Sequence, residues 1–500
     1  MKTLNFTLGS FNVRCAVAVL GLSAWNDCEA QIQQAWVARY NNAIANGTNQ
    51  AVKMALDPSG YIYVTGFSQN SNANLGYVTV KYAPNGNQQW ASRYDSTNYP
   101  LSTPFALGLD SSNNVIITGS ALTIKYDTNG NQLWTAPNSG TALAVDTNGN
   151  IGVTGFGTNF NTVKLSPSGS NLWQETFPSS CGAATGQAIL ADTNGNIYVA
   201  GSYPFGCAED NIVYELLIIK YGLNGSQVWA GNATIGNGIV QVEGVALDGM
   251  GNVYVAGNCG VAGPYSIFRY TSNGSLTWAM NPGQSGSSSA HSLGCGLNGY
   301  TVIVGQVPYK YTGAFSYYYG IFGVNIDGDA VWTNYFPEPP SGSSVANAVT
   351  MDLANNSYVT GYSSGSNSGT DIVTIEYGPN GNQIWLQRYH GPGSGNDAGN
   401  AIAVDNNGNV YVTGYEATAA GGTEIVTIKY SPLTLKRQAN NSFLLQAQGY
   451  PGESFDIQAS ANLLNWLDLG TVIADTNGLM QYADTNASNF PSRFYITSPQ

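Results

Sequence analysis

The residues of this chain whose types and spacing could do chemistry are, first, an aspartate that recurs along it. Asp57, Asp110, Asp146, Asp192, Asp248, Asp352 and Asp405 each open a stretch such as DNNGNVYVTG, Asp405 to Gly414. Carboxylate and amide oxygens at alternate positions resemble loops that hold calcium. Each stretch offers one carboxylate, however, where a calcium loop of about a dozen residues offers several and a bidentate Glu. A turn accounts for the same residues: an Asp accepts from backbone amides two residues on, and Asn and Gly tolerate positive φ. The aspartates are expected to be structural, with no metal and no cofactor.

Gly361-Tyr362-Ser363-Ser364-Gly365 fits the G-x-S-x-G pattern of a nucleophile elbow. That pattern needs a following helix and His and acid partners. Here it lies in a Gly/Ser stretch between two strand patterns, and the only histidines, His291 and His390, lie outside it. Two histidines leave imidazole–metal and imidazole-base chemistry close to excluded. The ten glutamates, Glu29 to Glu453, show no clustering of the kind a carboxylate-pair glycosidase uses. One aromatic run stands out: Tyr309, Tyr311, Phe315 and Tyr317 to Tyr319. Exposed rings stack on sugars or on protein partners. The last three also suit the start of a strand, which leaves Tyr309 and Tyr311, with Phe315, as the ligand-binding candidates.

The elements that must position these residues are strands. After each turn Asp an alternating Tyr/Val run reads as a strand ending at Gly66, Gly119, Gly155, Gly201, Gly257, Gly305, Gly361 or Gly414. The sixth copy, GLNGYTVIVG, has Gly296 in place of Asp. Spacing runs from 36 residues (Asp110 to Asp146) to 56 (Asp192 to Asp248), bracketing the roughly 40–50 residues of a four-stranded propeller blade. A short apolar strand precedes each Asp. A variable loop, a strand like Ile425 to Tyr430, an Asn-Gly turn and a Trp-bearing strand follow. Trp36, Trp90, Trp134, Trp173, Trp229, Trp278, Trp332 and Trp385 are in register. The last repeat lacks its Trp strand and the first Trp strand precedes the first repeat, so the N-terminal strand is expected to complete the last blade and close the ring.

The fold class expected is therefore all-β: an eight-bladed propeller over 31–430, then a linker over 431–441 and a small β-sandwich over 442–500, with Phe443, Ile457, Trp466 and Phe494 as its core. Both Asn-Gly-type turns of a blade fall on one face of the disc. The variable loops and the links between blades fall on the other, which is the expected binding face because loops on a rigid scaffold vary without disturbing the core.

The net charge of -13 and a pI near 4.4 argue against nucleic acid. The basic residues are scattered, with no run longer than Lys436-Arg437. Residues 1–30 read as a secretory signal peptide: Lys2 and Arg14, an apolar Cys15 to Ala24, and a cut at Ala30/Gln31. That apolar run is shorter than the roughly 20 residues of a membrane span, and no other stretch would serve as a transmembrane segment. Four cysteines remain after the signal, Cys181, Cys207, Cys259 and Cys295. Cys181 and Cys207 fall on connections of the same face of one blade and are the disulfide candidates.

The unit A-x-A-V-D-x-N-G-N-x-Y-V-T-G, followed by V-T-I-K-Y and N-G-N-x-x-W, resembles the SBBP β-propeller repeat of exported bacterial proteins over about Trp36 to Tyr430. The family name implies seven blades where this chain counts eight, and the sixth copy departs with Gly323-Val324 in place of Lys-Tyr. The tail is similar to C-terminal β-sandwich modules on exported proteins. The resemblance implies a secreted or cell-surface binding or adhesion protein, without catalytic residues, whose partner is an extracellular protein or polysaccharide. A polysaccharide-active enzyme, hydrolase or lyase, and a purely structural surface component are the alternatives.

Overall fold

The structure, a computed structural model, describes residues 17–20, 32–155, 159–179, 182–208, 211–233, 240–259, 265–282, 288–311, 314–336, 343–365, 369–438, 442–449, 451–462, 464–490 and 492–499. Among the described residues all regular structure is β-strand, apart from a 3₁₀ turn at Ala487–Asn489. Two compact units are formed, Ala38–Thr427 and Met1–Val37 with Ile428–Gln500.

Eight sheets of four strands follow one another along the chain, as the repeats require. Their first strands are Asn49–Leu56, Pro104–Leu109, Ala142–Val145, Thr185–Ala191, Val240–Leu247, Ser289–Cys295, Ser344–Met351 and Ala398–Val404. Each of these packs against the first strand of the next blade, and Ala398–Val404 packs against Asn49–Leu56, which completes the cycle. The Trp strand Ile32–Tyr40 is the outer strand of the eighth sheet, beside Thr423–Pro432. The expected clasp between chain ends is thus present.

Each turn Asp works as its chemistry predicts. Asp352 Oδ1 accepts from the Ala354 and Asn356 amides at 2.9 and 2.8 Å, and Oδ2 from Asn356 Nδ2 at 2.8 Å and the Tyr358 hydroxyl at 3.1 Å. Asp57, Asp110, Asp146, Asp192, Asp248 and Asp405 accept from the same two amides. In the second and third blades a buried lysine adds an ion pair, Lys125–Asp110 and Lys164–Asp146, each at 2.8 Å. The carboxylate oxygens are thereby engaged by their own blade.

The glycine nine residues after the Asp ends its strand, as expected, in the second and third blades, Val115–Gly119 and Ile151–Gly155, but has a further role elsewhere. The strands Ile62–Gln69, Ser357–Ser364 and Val410–Ala417 run on past Gly66, Gly361 and Gly414, so the glycine does not end them. Opposite the glycine in these three blades, the first strand carries an extra residue, a β-bulge that swings a carbonyl toward the neighbour. A Cβ at Gly361 would lie 1.9 Å from the Val345 carbonyl oxygen, and one at Gly414 1.8 Å from that of Ala398. Only glycine leaves room.

The tryptophans join blades rather than filling their own. Trp90, Trp134, Trp173, Trp229, Trp278 and Trp332 donate Nε1–H to a carbonyl in the Asn-Gly-type turn of the following blade, at 2.9–3.1 Å. The positive-φ glycine of that turn, Gly130 for Trp90, lies under the indole, where a Cβ would come within 2.7 Å of the ring.

In the C-terminal unit the sheets are Val17–Leu20, Ser492–Pro499, Ser454–Ser460 and Leu467–Ile473 in that spatial order, and Thr434–Arg437, Phe443–Gln448 and Leu479–Asp484. Val17–Leu20, from the expected leader, is the outer strand on Ser492–Pro499. The core joins both sheets through Leu433, Leu445, Phe455, Ile457, Met480 and Tyr495. Phe443 and Ile457 are buried as expected, whereas Trp466 and Phe494 are half-buried. Successive strand residues face opposite ways, and Tyr495 rather than Phe494 takes the inner place, its hydroxyl on Asp484. The described part of the expected linker is structured: Thr434–Arg437 pairs with Phe443–Gln446, and Leu433 is fully buried.

Candidate functional site

Antiparallel four-stranded blades put every Asp turn on one face and the connections after the second and fourth strands on the other. The irregular residues gather on this second face and around the channel that the first strands line.

The bulge residue of each first strand lies five places before the turn Asp or Gly296: Val52, Phe105, Gln187, Glu243, His291, Asn347 and Asn400, with Thr141 at that place in the third blade. Several reach into the following blade. Thr141 Oγ1 donates to Gly186 O at 2.7 Å, Gln187 Oε1 accepts from the Val242 amide at 2.9 Å, and Asn347 Nδ2 donates to Gly399 O at 3.0 Å. Asn400 Nδ2 donates to Ala51 O at 2.9 Å, tying the eighth blade to the first. Two titratable groups, Glu243 and His291, belong to this ring, and Lys53 follows its member Val52. Burial pushes the Glu243 carboxyl up to about 7, opposed in part by the Lys53 ammonium, and burial lowers both Lys53 and His291.

A second group lies where the seventh and eighth blades meet. Asp371 is the second residue of the strand Thr370–Tyr377, His390 follows Gln383–Tyr389, and Asp397 precedes Ala398–Val404. His390 Nδ1 lies 2.8 Å from Asp371 Oδ1 and 4.0 Å from Asp397 Oδ2. Arg388 Nη1 holds Asp371 Oδ2 at 2.9 Å. Asp397 accepts from the Gly391 and Ala417 amides at 2.7 and 2.8 Å, and burial raises its pKa against those bonds. Beside it Glu416, with no exposed side-chain surface, takes the Arg39 guanidinium and the Tyr389 hydroxyl, while Arg39 Nη2 donates to Tyr389 Oη at 2.6 Å. Burial raises the Glu416 carboxyl. Asn41 donates to Glu424 at 3.0 Å.

This group was not singled out from the sequence. One imidazole proves enough to gather two carboxylates once the fold brings three separated segments together. A signal was nevertheless present in the departures from the repeat. Asn49, Ser102, Ser288 and Ser344 occupy, buried, the place that Asp397 has in the eighth blade. An Arg three residues after the Trp faces an acid six before a tyrosine at or near the end of the third strand, as Arg388 and Asp371 do and as Arg39 and Glu424 do at 3.6 Å. In the fourth blade the pair is Asn232 and Glu215, at 3.0 Å.

The aromatic candidates lie on the paired strands of a hairpin rather than on a loop. Thr301–Tyr311 and Ala314–Val324 pair to their ends, with Tyr309 opposite Ser316, Lys310 opposite Phe315 and Tyr311 opposite Ala314. The side chains of Tyr309, Tyr311 and Phe315 lie outside the described residues. Of the neighbouring tyrosines, Tyr319 is fully buried with its hydroxyl on Val373 O at 3.2 Å, while Tyr317 and Tyr318 are half-buried. Cys181 and the side chain of Cys207 also lie outside the described residues. Cys295 is a free thiol that burial pushes up to about 12. The G-x-S-x-G serine, Ser363, is buried within the strand Ser357–Ser364 and accepts from Arg388 Nη2 at 2.8 Å.

The β-propeller repeat family SBBP matches residues 385–415. No curated protein is significantly similar in sequence. Among solved structures, Sqt1 from Chaetomium thermophilum superposes with a TM-score of 0.50 at 11% identity, over 79% of this chain and 99% of its own. The Pan2 WD40 domain of Neurospora crassa gives 0.42 at 12%, over 79% and 95%. PorZ, a bacterial surface component of the type-IX secretion system of Porphyromonas gingivalis, gives 0.39 at 11%, over 87% and 69%. Among the described residues no helix is long and apolar enough to cross a membrane. With eight four-stranded blades and a recurring repeat pattern, the chain is a β-propeller repeat protein, and its segment from Trp385 to Tyr415 is similar to the SBBP repeat.

Proposed function

We propose that this chain is an exported binding or adhesion protein that engages an extracellular protein or polysaccharide through its variable-loop face, without catalysis of its own. The contrast between the two faces carries the reading. On the turn face the Asp carboxylates are engaged within their own hairpins. The opposite face carries the long hairpin of the sixth blade and the charged residues Arg39, Asp371, His390 and Asp397. There the buried carboxylates of Asp397 and Glu416 are already held by amides, Arg39 and Tyr389, which suits a fixed recognition surface better than a proton-transferring pair. The test is a glycan array and a surface-protein capture panel probed with the full chain. Binding weakened at least tenfold by Tyr309→Ala with Tyr311→Ala supports the hairpin as part of the surface. Unchanged binding removes it, and silence on every probe sinks the reading.

One observation favours a polysaccharide hydrolase or lyase instead: Asp371 and Asp397 converge on His390 within 4.8 Å. Sugar release or unsaturated products from a polysaccharide panel, abolished by Asp371→Asn, is the outcome that would establish it.

A further inference from the structure

We propose that Asp371, His390 and Asp397 bind one divalent transition-metal cation, zinc above others, which staples the seventh blade to the eighth on the variable-loop face. This does not depend on what that face recognises.

The ligand atoms of the three residues lie within 4.8 Å of one another, Asp371 and Asp397 buried and His390 exposed. One imidazole nitrogen and two carboxylate oxygens form a donor set that suits zinc, whereas calcium takes oxygens almost alone. Zinc–ligand bonds of about 2.0–2.2 Å in a tetrahedral site put donor atoms roughly 3.3–3.6 Å apart. The Nδ1 separations of 2.8 Å and 4.0 Å bracket that range. A shift of under about 1 Å of the exposed imidazole would equalise them.

The surroundings are those of a prepared site. Metal-binding carboxylates are held by partners behind them. Asp371 has Arg388 on Oδ2, which leaves Oδ1 toward the imidazole. Asp397 is fixed by two backbone amides from separate segments, Gly391 in the loop after Gln383–Tyr389 and Ala417 at the end of Val410–Ala417. Without a cation, two buried carboxylates face one imidazole, and the Arg388 charge is shared with Ser363 and the carbonyls of Ser363 and Ser364. On binding, Nδ1 exchanges its hydrogen bond with Asp371 for the metal, and the imidazole proton sits on Nε2. The fourth position opens on the solvent side that exposes His390.

The experiment is calorimetric titration of chelator-stripped full-length protein with zinc chloride, with calcium chloride in parallel. The expected result is one saturable zinc site per chain, no comparable calcium response, and a melting temperature that rises with zinc. His390→Ala, an exposed position that leaves the blade cores intact, should weaken zinc binding at least tenfold, and Asp397→Asn should do the same wherever circular dichroism shows the fold retained. Absence of saturable zinc binding to the folded protein overturns the proposal, and so does zinc affinity unaffected by His390→Ala, which would place the ion on a thiol elsewhere.

Discussion

Glu243 is the side chain whose titration the fold alters most legibly. Its carboxyl is pushed up to about 7 by burial from an ordinary value near 4.3. The folded state therefore holds its proton more tightly than the unfolded chain does. The stabilisation is complete below the unfolded value and is lost as pH rises through about 7. Glu243→Gln should flatten the stability profile between about pH 4.5 and 7 and raise stability at pH 8 by about 1–3 kcal/mol, measured by urea unfolding across pH. Gly361 makes a second residue-level prediction. Gly361→Ala forces a methyl against the Val345 carbonyl and should cost more than about 2 kcal/mol. A cost below a few tenths would mean that the bulge is not rigid. The sequence displayed this glycine in every repeat but not its reason, because the opposing carbonyl comes from a strand displaced by a bulge that periodicity does not reveal.

At the scale of the element, the hairpin that opens each blade was readable in full. Asp405 accepts from the Asn407 and Asn409 amides, Asn409 Nδ2 and the Tyr411 hydroxyl. Asp405→Ala should destabilise by about 2–3 kcal/mol, since it strands donors in a folded turn. Calcium and chelator should leave both the wild-type turn and this deficit unchanged, which unfolding curves in each condition would check. The register of the Trp strands was equally plain, yet their destination was not. Trp90 donates to Thr128 O of the next blade, a contact between residues distant in sequence that no local pattern encodes. The candidate site was legible only in part: the face was foreseen from strand connectivity, while Asp397 and Asp371 lay in loop and strand-start positions where single charged residues carry no periodicity.

At the scale of the whole molecule, the clasp decides integrity. Arg39 near the N-terminal end of the ring pairs with Glu416 and Tyr389 near its C-terminal end, and Asn400 ties the eighth blade to the first. Arg39→Ala leaves the fully buried Glu416 without its cation and, with the arginine partly screened by solvent, should cost about 1–3 kcal/mol. Adding Glu416→Gln should recover much of that loss in a double-mutant cycle, because the deficit belongs to the stranded charge. Additive losses would show that Arg39 acts through packing alone.

By itself the sequence determined the blades, their number, the turn aspartates and the strand that closes the ring. These follow from local chemistry: an Asx turn, an alternating strand and a Trp strand are each written within a few adjacent residues, and repetition averages out the noise. Only the tertiary structure decided that the strand glycine makes room for a bulge, that each indole belongs to its neighbour's turn, and that Asp371, His390 and Asp397 meet. Those depend on separations across blades, which are set by the closing of the ring and leave no periodic trace in the chain.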